Sequence, residues 1–235
     1  MSKTSALRAP PKNRLLAALP KDEYRKLLPD LEEFPLVFGE LIYRPGAVVH
    51  HVYFPTSGIV SLLADVDGGS LEVGIVGREG MAGMSVFMGV KTSSNRVLVQ
   101  GAGSALRMKA TTLRKLTDND GSLSRLLRRY SHSLWVQLSQ SSVCNLYHPI
   151  DARLARWLLM TRDRMEANEF PITQEFLSSM LGVRREGVNK AAGKLQQEHL
   201  IRYSRGMLTI LKPAGLAEMA CKCYRIIKTE YGRAL

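Results

Sequence analysis

The segment 173–195 constrains the fold of this chain more than any other part of the sequence. The hydroxyl of Thr173 can accept a hydrogen bond from a first-turn amide, so this residue can cap a helix over residues 174–180. Gly182 then permits a tight turn, and a second helix begins at Arg184. That second helix has one apolar face, at positions i, i+3, i+4 and i+7, formed by Val188, Ala191, Ala192 and Leu195. The spacing predicts a helix-turn-helix motif.

The opposite face of the second helix is polar and matches the chemistry of base edges. An arginine fork fits the two acceptors of guanine, a carboxylate accepts from the cytosine amino group, and an amide can pair with adenine. Two short strands around Gly206 follow and form a wing, whose tip residue Arg205 can reach phosphate or the minor groove. These observations predict double-stranded DNA as a partner; a solvated charged helix face is the alternative. The predicted DNA-binding residues are Thr173, Gln174, Arg184, Arg185, Glu186, Asn189, Lys190 and Arg205.

The charge of the chain favours the same partner. Its 235 residues carry a formal net charge of +12, from 33 basic and 21 acidic side chains, which indicates attraction to a polyanion. Three cysteines cannot build a disulfide framework, which is typical of a reducing compartment. The sequence begins without an apolar signal segment, and the longest uncharged stretch, 45–64, contains prolines and glycines. We therefore expect a soluble, cytoplasmic protein without a membrane helix.

Short β-branched runs with turn residues between them fill residues 36–108. Turn signals at 44–46, 56–58 and 67–69 separate these runs, and this spacing predicts a β-meander or small barrel. The glycines at 77, 80 and 83 lack the spacing of a dinucleotide fingerprint, so we interpret them as turns of this barrel.

A long helix over residues 121–147 follows the predicted barrel. Its apolar and small polar residues recur at alternating spacings of four and three, which is the pattern of a helix that pairs with a second helix. Packing on the chain's own barrel is the alternative. Pro149 ends the helix and marks a boundary, so the predicted domains are 13–120, 121–147 and 150–235. The predicted dimer interface consists of Leu123, Leu127, Tyr130, Leu134, Gln137 and Ser141.

Residues 13–211 together resemble the Crp/Fnr family of bacterial transcription regulators. Two segments carry the resemblance. Residues 53–61 are similar to the family's Tyr-x-x-x-x-Gly-x-Val strand, and residues 183–188 are similar to the start of its recognition helix. It implies an α+β fold with an N-terminal cyclic-nucleotide-binding-like β-roll (a jelly roll), a long dimerisation helix and a C-terminal winged helix-turn-helix. A homodimer on a palindromic operator, with RNA polymerase as a further partner, is also implied.

The resemblance also implies roles for single residues. Arg185 and Glu186 would read a G·C-containing core of the half-site, and Lys190 would contact guanine or phosphate. Arg184 and Thr173 would hold the DNA backbone. Lys194, which lies further along the second helix, is expected to be beyond the base edges.

The sensory half departs from the cyclic-AMP receptors of the family. Those receptors hold the ribose with a glutamate and the cyclic phosphate with an Arg-Ser pair. Here the glutamate position falls on Gly83, and Arg96-Val97 replaces the Arg-Ser pair. We expect an effector other than cyclic AMP, an unidentified small molecule, in a pocket formed by Gly83, Met84, Arg96 and Val97. The alternative for Arg96 is a strand arginine paired with a local carboxylate.

No enzyme site, metal site or cofactor is predicted. The sequence shows no nucleophile with a spaced base, and no cysteine precedes Cys144, unlike the iron–sulfur members of the family. Cys221 and Cys223 are predicted to lie within one helix over 214–231, where residues two apart diverge by about 200° and cannot hold one ion unaided. A redox-sensitive thiol is the remaining alternative for this pair. The alternative for the whole protein is a small-molecule-binding or redox-sensing module whose helix-turn-helix contacts proteins.

Overall fold

The computed structural model of the protein describes residues 11–67 and 69–234. These residues form two compact units. The first comprises residues 11–62, 75–134 and 231–234, and the second comprises 63–74, apart from residue 68, and 135–230. The long helix therefore contributes to both units, and a hairpin from the first half of the chain belongs to the second unit. No helix among the described residues has the length and apolar character that a membrane crossing requires.

The first half of the chain is built on an antiparallel sheet. Its strands are β1 (Glu32–Leu36), β2 (Leu41–Tyr43), β3 (His51–Val66), β4 (Gly69–Val76) and β5 (Arg96–Lys109). The strand order is β1-β5-β3-β4, and β2 also pairs with β5, so the sheet does not have the sequential strand order of the predicted meander. The helices around them are α1 (Arg14–Ala17), α2 (Lys21–Leu27), a 3-10 turn (Leu28–Asp30), α3 (Met84–Phe87) and α4 (Ala110–Thr117).

Residues 56–58, predicted as a turn, lie within the continuous strand β3. Gly58 has a φ of +78°, and a Cβ atom there would lie 2.5 Å from the carbonyl oxygen of Gly101. A Cβ atom on Gly103 would lie 2.5 Å from the carbonyl oxygen of Ser57. The turn prediction is wrong because these glycines let β3 and β5 approach closely rather than reverse the chain.

The long helix α5 (Ser122–Tyr147) has the predicted extent but not the predicted interface. Tyr130 is fully buried, and its hydroxyl donates to the carbonyl of Met81 at 3.3 Å. Gln137 is also fully buried and accepts from Nη2 of Arg164 at 3.4 Å. All six residues of the predicted dimer interface are buried within their own chain: Leu123, Leu127, Tyr130, Leu134, Gln137 and Ser141. Their assignment to contacts with a second chain is therefore wrong.

A different face of α5 is exposed. Its residues also recur at spacings of four and three, and we call them the exposed seam: Arg128, His132, Trp135, Ser139, Ser142 and Leu146. Trp135 is 71% exposed and Leu146 is 75% exposed. The sequence periodicity fits both seams, and packing against the rest of the chain decides which one is buried.

The second unit contains the helix-turn-helix and the wing. Its helices are α6 (Ile150–Met165), α7 (Gln174–Leu181), α8 (Arg185–Gln197), α9 (Pro213–Met219) and most of α10 (Lys222–Ala234). The wing strands β7 (Ile201–Ser204) and β8 (Met207–Ile210) pair as predicted, and the short strand β6 (Glu169–Pro171) adds to β8 in the order β6-β8-β7. Strand β6 was not predicted, because a strand of three residues depends on its pairing with β8 rather than on a local pattern.

Candidate nucleic-acid interface

Helix α7 begins at the predicted residue Gln174 and ends at Leu181, one residue beyond the predicted end. Thr173 has extended backbone angles, and its Oγ1 accepts from the amide of Phe176 at 3.1 Å, so the predicted cap is confirmed. Gly182 ends the helix with a φ of +60°. The carbonyl of Leu181, left without a helical partner, accepts a hydrogen bond from Nη2 of the buried Arg153. Burial lowers the pKa of Arg153.

Helix α8 presents the polar face that the sequence predicts. Its first helical residue is Arg185, and Arg184 is the cap residue rather than part of the helix. The apolar face is buried as predicted, at Val188, Ala191, Ala192 and Leu195. On the opposite side five side chains are exposed and make no hydrogen bond or ion pair with any described residue: Arg184, Arg185, Glu186, Asn189 and Lys190.

The wing is held close to the start of α7. Its turn consists of Arg205 and Gly206, with φ values of +51° and +75°, the pattern of a type I′ hairpin turn. The amide of Ile172 donates to the carbonyl of Gly206 at 2.7 Å, and the hydroxyl of Tyr203 donates to the carbonyl of Ile172 at 2.9 Å. These bonds fix the position of the wing tip relative to the cap residue Thr173.

One open cleft collects the predicted residues from all three elements. Thr173 and Gln174 from the start of α7, Arg185 from α8 and Arg205 from the wing tip line it. Its remaining lining residues are Glu175, Tyr203, Ser204 and Gly206. Lys190 does not line this cleft and borders a separate groove beside the start of α6.

Lys194 is engaged within the chain. Its ammonium group donates to Oδ2 of Asp151 at the start of α6. This bond lowers the pKa of Asp151 and raises the pKa of Lys194. Sequence reasoning missed the pair because 43 residues separate the two side chains and no local pattern links them.

A hairpin segment from the first half of the chain contacts the turn of the helix-turn-helix. Leu71 of β4 lies so close to Gly182 that a Cβ atom there would be 2.7 Å from the Leu71 Cδ1 atom. Residues of the hairpin and of the turn line a shared cleft, with Ser70 and Leu71 on one side and Ser178 and Val183 on the other. Nothing in the sequence near residue 71 indicated this contact.

The predicted effector pocket contains a buried tyrosine. Gly83 caps α3 with a φ of +97°, and a Cβ atom on it would lie 2.9 Å from Oη of Tyr43. Tyr43 stands opposite Val97 in the pairing of β2 with β5, and its hydroxyl donates to the carbonyl of His51 at 2.6 Å. Burial raises the pKa of Tyr43 well above its usual value. Met84 and Val97 are buried and Arg96 is half-buried, so the space beside Gly83 is largely occupied by protein.

The cysteines are arranged differently from the prediction. Residues 214–231 do not form one helix, because α9 ends at Met219 and α10 starts at Lys222, so Cys221 lies in the break. Cys221 and Cys223 therefore do not diverge along one helix, and that prediction is wrong. Residues from the end of α5 join them: the ligand atoms of Cys144, His148, Cys221 and Cys223 all lie within 4.8 Å of one another.

Hydrogen bonding and burial shift the pKa values of these thiols. The contact with Cys221, followed by burial, raises the pKa of Cys144 to about 12. The same contact lowers the pKa of Cys221. Burial raises the pKa of Cys223.

Comparison with known proteins agrees with this architecture. Residues 36–120 match the model of the cyclic nucleotide-binding domain, and residues 152–219 match that of the Crp-like helix-turn-helix domain. No curated protein matches the chain at a significant level.

Solved structures with similar folds share little sequence with this chain. FixK2 from Bradyrhizobium japonicum is 16% identical, with a TM-score of 0.69 over 81% of this chain and 98% of that one. A Crp/Fnr regulator from Eubacterium rectale is 18% identical, with a TM-score of 0.65 over 88% of this chain and 98% of that one. The c-di-GMP responsive regulator CLP of Xanthomonas campestris is also 18% identical, with a TM-score of 0.63 over 81% and 99%. With both domains in this order on one chain, the protein belongs to the Crp/Fnr family of transcription regulators.

Proposed function

We propose that the protein is a homodimeric regulator that binds a palindromic DNA operator in the cytoplasm, with RNA polymerase as a further partner. One observation carries the proposal. The side chains of the first turns of α8 are exposed without partners among the described residues, and Arg185 shares a cleft with Thr173, Gln174 and Arg205. The members of this family are transcription regulators rather than enzymes.

Position along α8 assigns the proposed roles. The N-terminal end of a recognition helix enters the major groove, so Arg185 and Glu186 in the first turn read bases, and Asn189 and Lys190 follow one turn later. A bidentate contact of arginine with guanine gives sequence discrimination. Thr173, Gln174, Arg184 and the wing-tip Arg205 contact the phosphate backbone, which sets the register without reading sequence. The net charge of +12 supports attraction to DNA.

The proposed dimer uses the exposed seam of α5. Trp135 and Leu146 are large apolar side chains that are exposed to solvent in the single chain. Their burial against a second helix would be favourable through the hydrophobic effect. The residues of the exposed seam recur at spacings of four and three, which is the pattern of a two-stranded helix pair. Such a pair relates the two recognition helices by a two-fold axis, which suits a palindromic operator.

The proposed effector is a small molecule other than cyclic AMP. The ribose of cyclic AMP needs an acidic partner, and at Gly83 any side chain would collide with Tyr43. A buried hydroxyl group without a partner costs about 1–3 kcal/mol, which disfavours this ligand.

Selection of binding sites from random DNA at several salt concentrations tests the proposal. The wild type should select a palindrome, and its affinity should fall steeply with salt because phosphate contacts release counterions. Arg185→Ala should lose about 1–3 kcal/mol on the selected site and relax discrimination at one base pair. Arg225→Ala, which removes an exposed arginine of α10, is the control and should select the wild-type motif.

Two outcomes would contradict the proposal. Absence of salt-sensitive DNA binding would favour the alternative that the helix-turn-helix contacts proteins. If Arg185→Ala selects the same motif with the same discrimination at every position, α8 does not read the bases.

A further inference from the structure

Four side chains of the second unit form a cluster that the DNA-binding function does not use. We call Cys144, His148, Cys221 and Cys223 the thiol–imidazole cluster; it contains every cysteine of the chain. The Sγ atoms of Cys144 and Cys221 are 3.4 Å apart, and Sγ of Cys223 is 3.7 Å from Nδ1 of His148. Elements far apart in sequence thus bring three sulfurs and one imidazole to one point.

These distances fit one tetrahedral metal ion. Bonds from zinc of about 2.3 Å to sulfur and about 2.0 Å to nitrogen place neighbouring ligand atoms roughly 3.5–3.8 Å apart. Both measured pairs are within a few tenths of an ångström of that range, and all ligand atoms lie within 4.8 Å of one another. Small side-chain movements would close the remaining gaps. An iron–sulfur cluster, by contrast, spreads its ligands over several irons and needs them further apart.

The local backbone provides the ligands in two pairs. Cys144 lies in the last turn of α5, and His148 directly follows the end of the helix, where its amide donates to the carbonyl of Cys144 at 3.2 Å. This helix-like spacing of four residues places both side chains on the same side of the chain. Cys221 lies in the break before α10 and Cys223 lies in its first turn. The extended backbone of Ala220 interrupts the helix before Cys221. Cys221 and Cys223 therefore do not lie on one continuous helix, and both sulfurs reach the cluster.

A buried arginine next to the cluster has no acidic partner among the residues that the structure describes. Arg156 of α6 is 5% exposed, and its Nε has no hydrogen-bond partner among the described residues. One of its terminal nitrogens contacts Sδ of Met160 at 3.3 Å, an acceptor without charge. A buried guanidinium ordinarily has a negative partner. Three thiolates and one neutral imidazole around a divalent ion carry a net charge of −1, which would supply that partner.

We propose that Cys144, His148, Cys221 and Cys223 bind one Zn²⁺ in a closed tetrahedral site. Four protein ligands leave no open position for a substrate, so the site is structural. The ion would tie the C-terminal end of α5 to the start of α10. This site shares no residue with the DNA-binding face, so metal binding tests it independently of DNA binding.

Elemental analysis of the full-length protein, purified under reducing conditions with zinc in the medium, tests the proposal. We expect about one Zn²⁺ per chain. Replacement with Co²⁺ should give the d–d absorption of tetrahedral cobalt and thiolate-to-cobalt charge-transfer bands. Oxidation of the thiols should release the metal, because the disulfide form cannot bind it.

Variants identify the ligands. His148→Ala and Cys223→Ser should each lower zinc affinity by at least about 100-fold, since each removes a direct ligand. His148→Cys keeps four ligands and should retain stoichiometric zinc, which distinguishes loss of a ligand from loss of the fold. His199→Asn, which replaces an exposed histidine of the same unit, is the control and should bind zinc like the wild type.

Three results would overturn the proposal. The first is reduced wild-type protein with neither zinc nor a tetrahedral cobalt spectrum. The second is a Cys144–Cys221 disulfide in protein isolated from cells with its thiols trapped, which would make the cluster a redox pair. The third is the absorption of an iron–sulfur cluster with stoichiometric iron and sulfide.

Discussion

The indole Nε1 of Trp157 donates a 2.8 Å hydrogen bond to Oε1 of Glu72, and the chain buries both side chains although 85 residues separate them. Trp157 lies on α6 and Glu72 on β4, so this bond attaches the hairpin strand to the core of the second unit. A buried indole N–H that loses its acceptor carries the full cost of its desolvation.

Glu72→Ala should therefore lower the free energy of unfolding by about 1–3 kcal/mol. Glu72→Gln retains an oxygen acceptor and should lose less. Urea titrations monitored by tryptophan fluorescence measure the free energy of unfolding of both variants. Glu198→Ala, which replaces an exposed residue of the same unit, is the control. Equal losses for Glu72→Ala and Glu72→Gln would show that the indole bond is not what stabilises the hairpin.

Substitutions on the two faces of α5 should affect different properties, the oligomeric state on one face and the fold on the other. Trp135→Glu places charge on the exposed seam, so we expect a folded protein that sediments as a monomer and loses affinity for a palindromic site. Leu127→Glu buries a carboxylate in the core and should unfold the protein instead, because Leu127 is fully buried. Sedimentation and circular dichroism separate the two effects. A Trp135→Glu protein that remains dimeric would contradict the proposed interface.

The pair of Lys194 and Asp151 should make stability depend on pH in a defined window. The pKa of Asp151 is lowered in the folded state, so its contribution is present above the usual aspartate pKa and is lost as pH falls through the lowered value. The pKa of Lys194 is raised, so its contribution is present below the usual lysine pKa and is lost as pH rises through the raised value.

The difference in unfolding midpoint between wild type and Lys194→Met should therefore be largest between about pH 5 and pH 9 and shrink in acid and in alkali. Thermal unfolding across this range measures it. Lys190→Met is the control, since Lys190 has no partner among the described residues. The difference in unfolding midpoint between wild type and Lys190→Met should not follow this pH profile. A Lys194→Met difference that is constant with pH would contradict the role of the pair.

Gly83 should resist replacement more than a neighbouring glycine of similar backbone conformation. Gly83 and Gly89 have φ values of +97° and +84°, but only at Gly83 would a Cβ atom meet other groups within 4 Å. Gly83→Ala should cost backbone strain of about 1–3 kcal/mol plus a steric term against Tyr43, whereas Gly89→Ala should cost the strain alone. Chemical denaturation compares the two.

Calorimetry should detect no binding of cyclic AMP to the wild type or to Gly83→Ala, and in either protein micromolar binding would contradict the proposed effector class. Equal destabilisation by the two alanine substitutions would show that Tyr43 does not restrict position 83.

The DNA-binding half was largely readable from the sequence because its signals are local. The Thr173 cap, the turn at Gly182 and the apolar face around Val188 each depend on residues within one or two helical turns, and all three agree with the structure. The short strand β6 was missed there, since its pairing with β8 rather than its own residues makes it a strand. The break between α9 and α10 and the pair of Lys194 and Asp151 were missed as well.

The sequence by itself determined the helix-turn-helix, the wing, the antiparallel sheet and the extent of α5, because periodicity and turn chemistry act over a few residues. Only the tertiary structure decided which face of α5 is buried, since both seams have the same spacing and differ only in what packs on them. It also decided that Cys221 and Cys144 meet across 77 residues, because no local pattern encodes a contact made by distant segments.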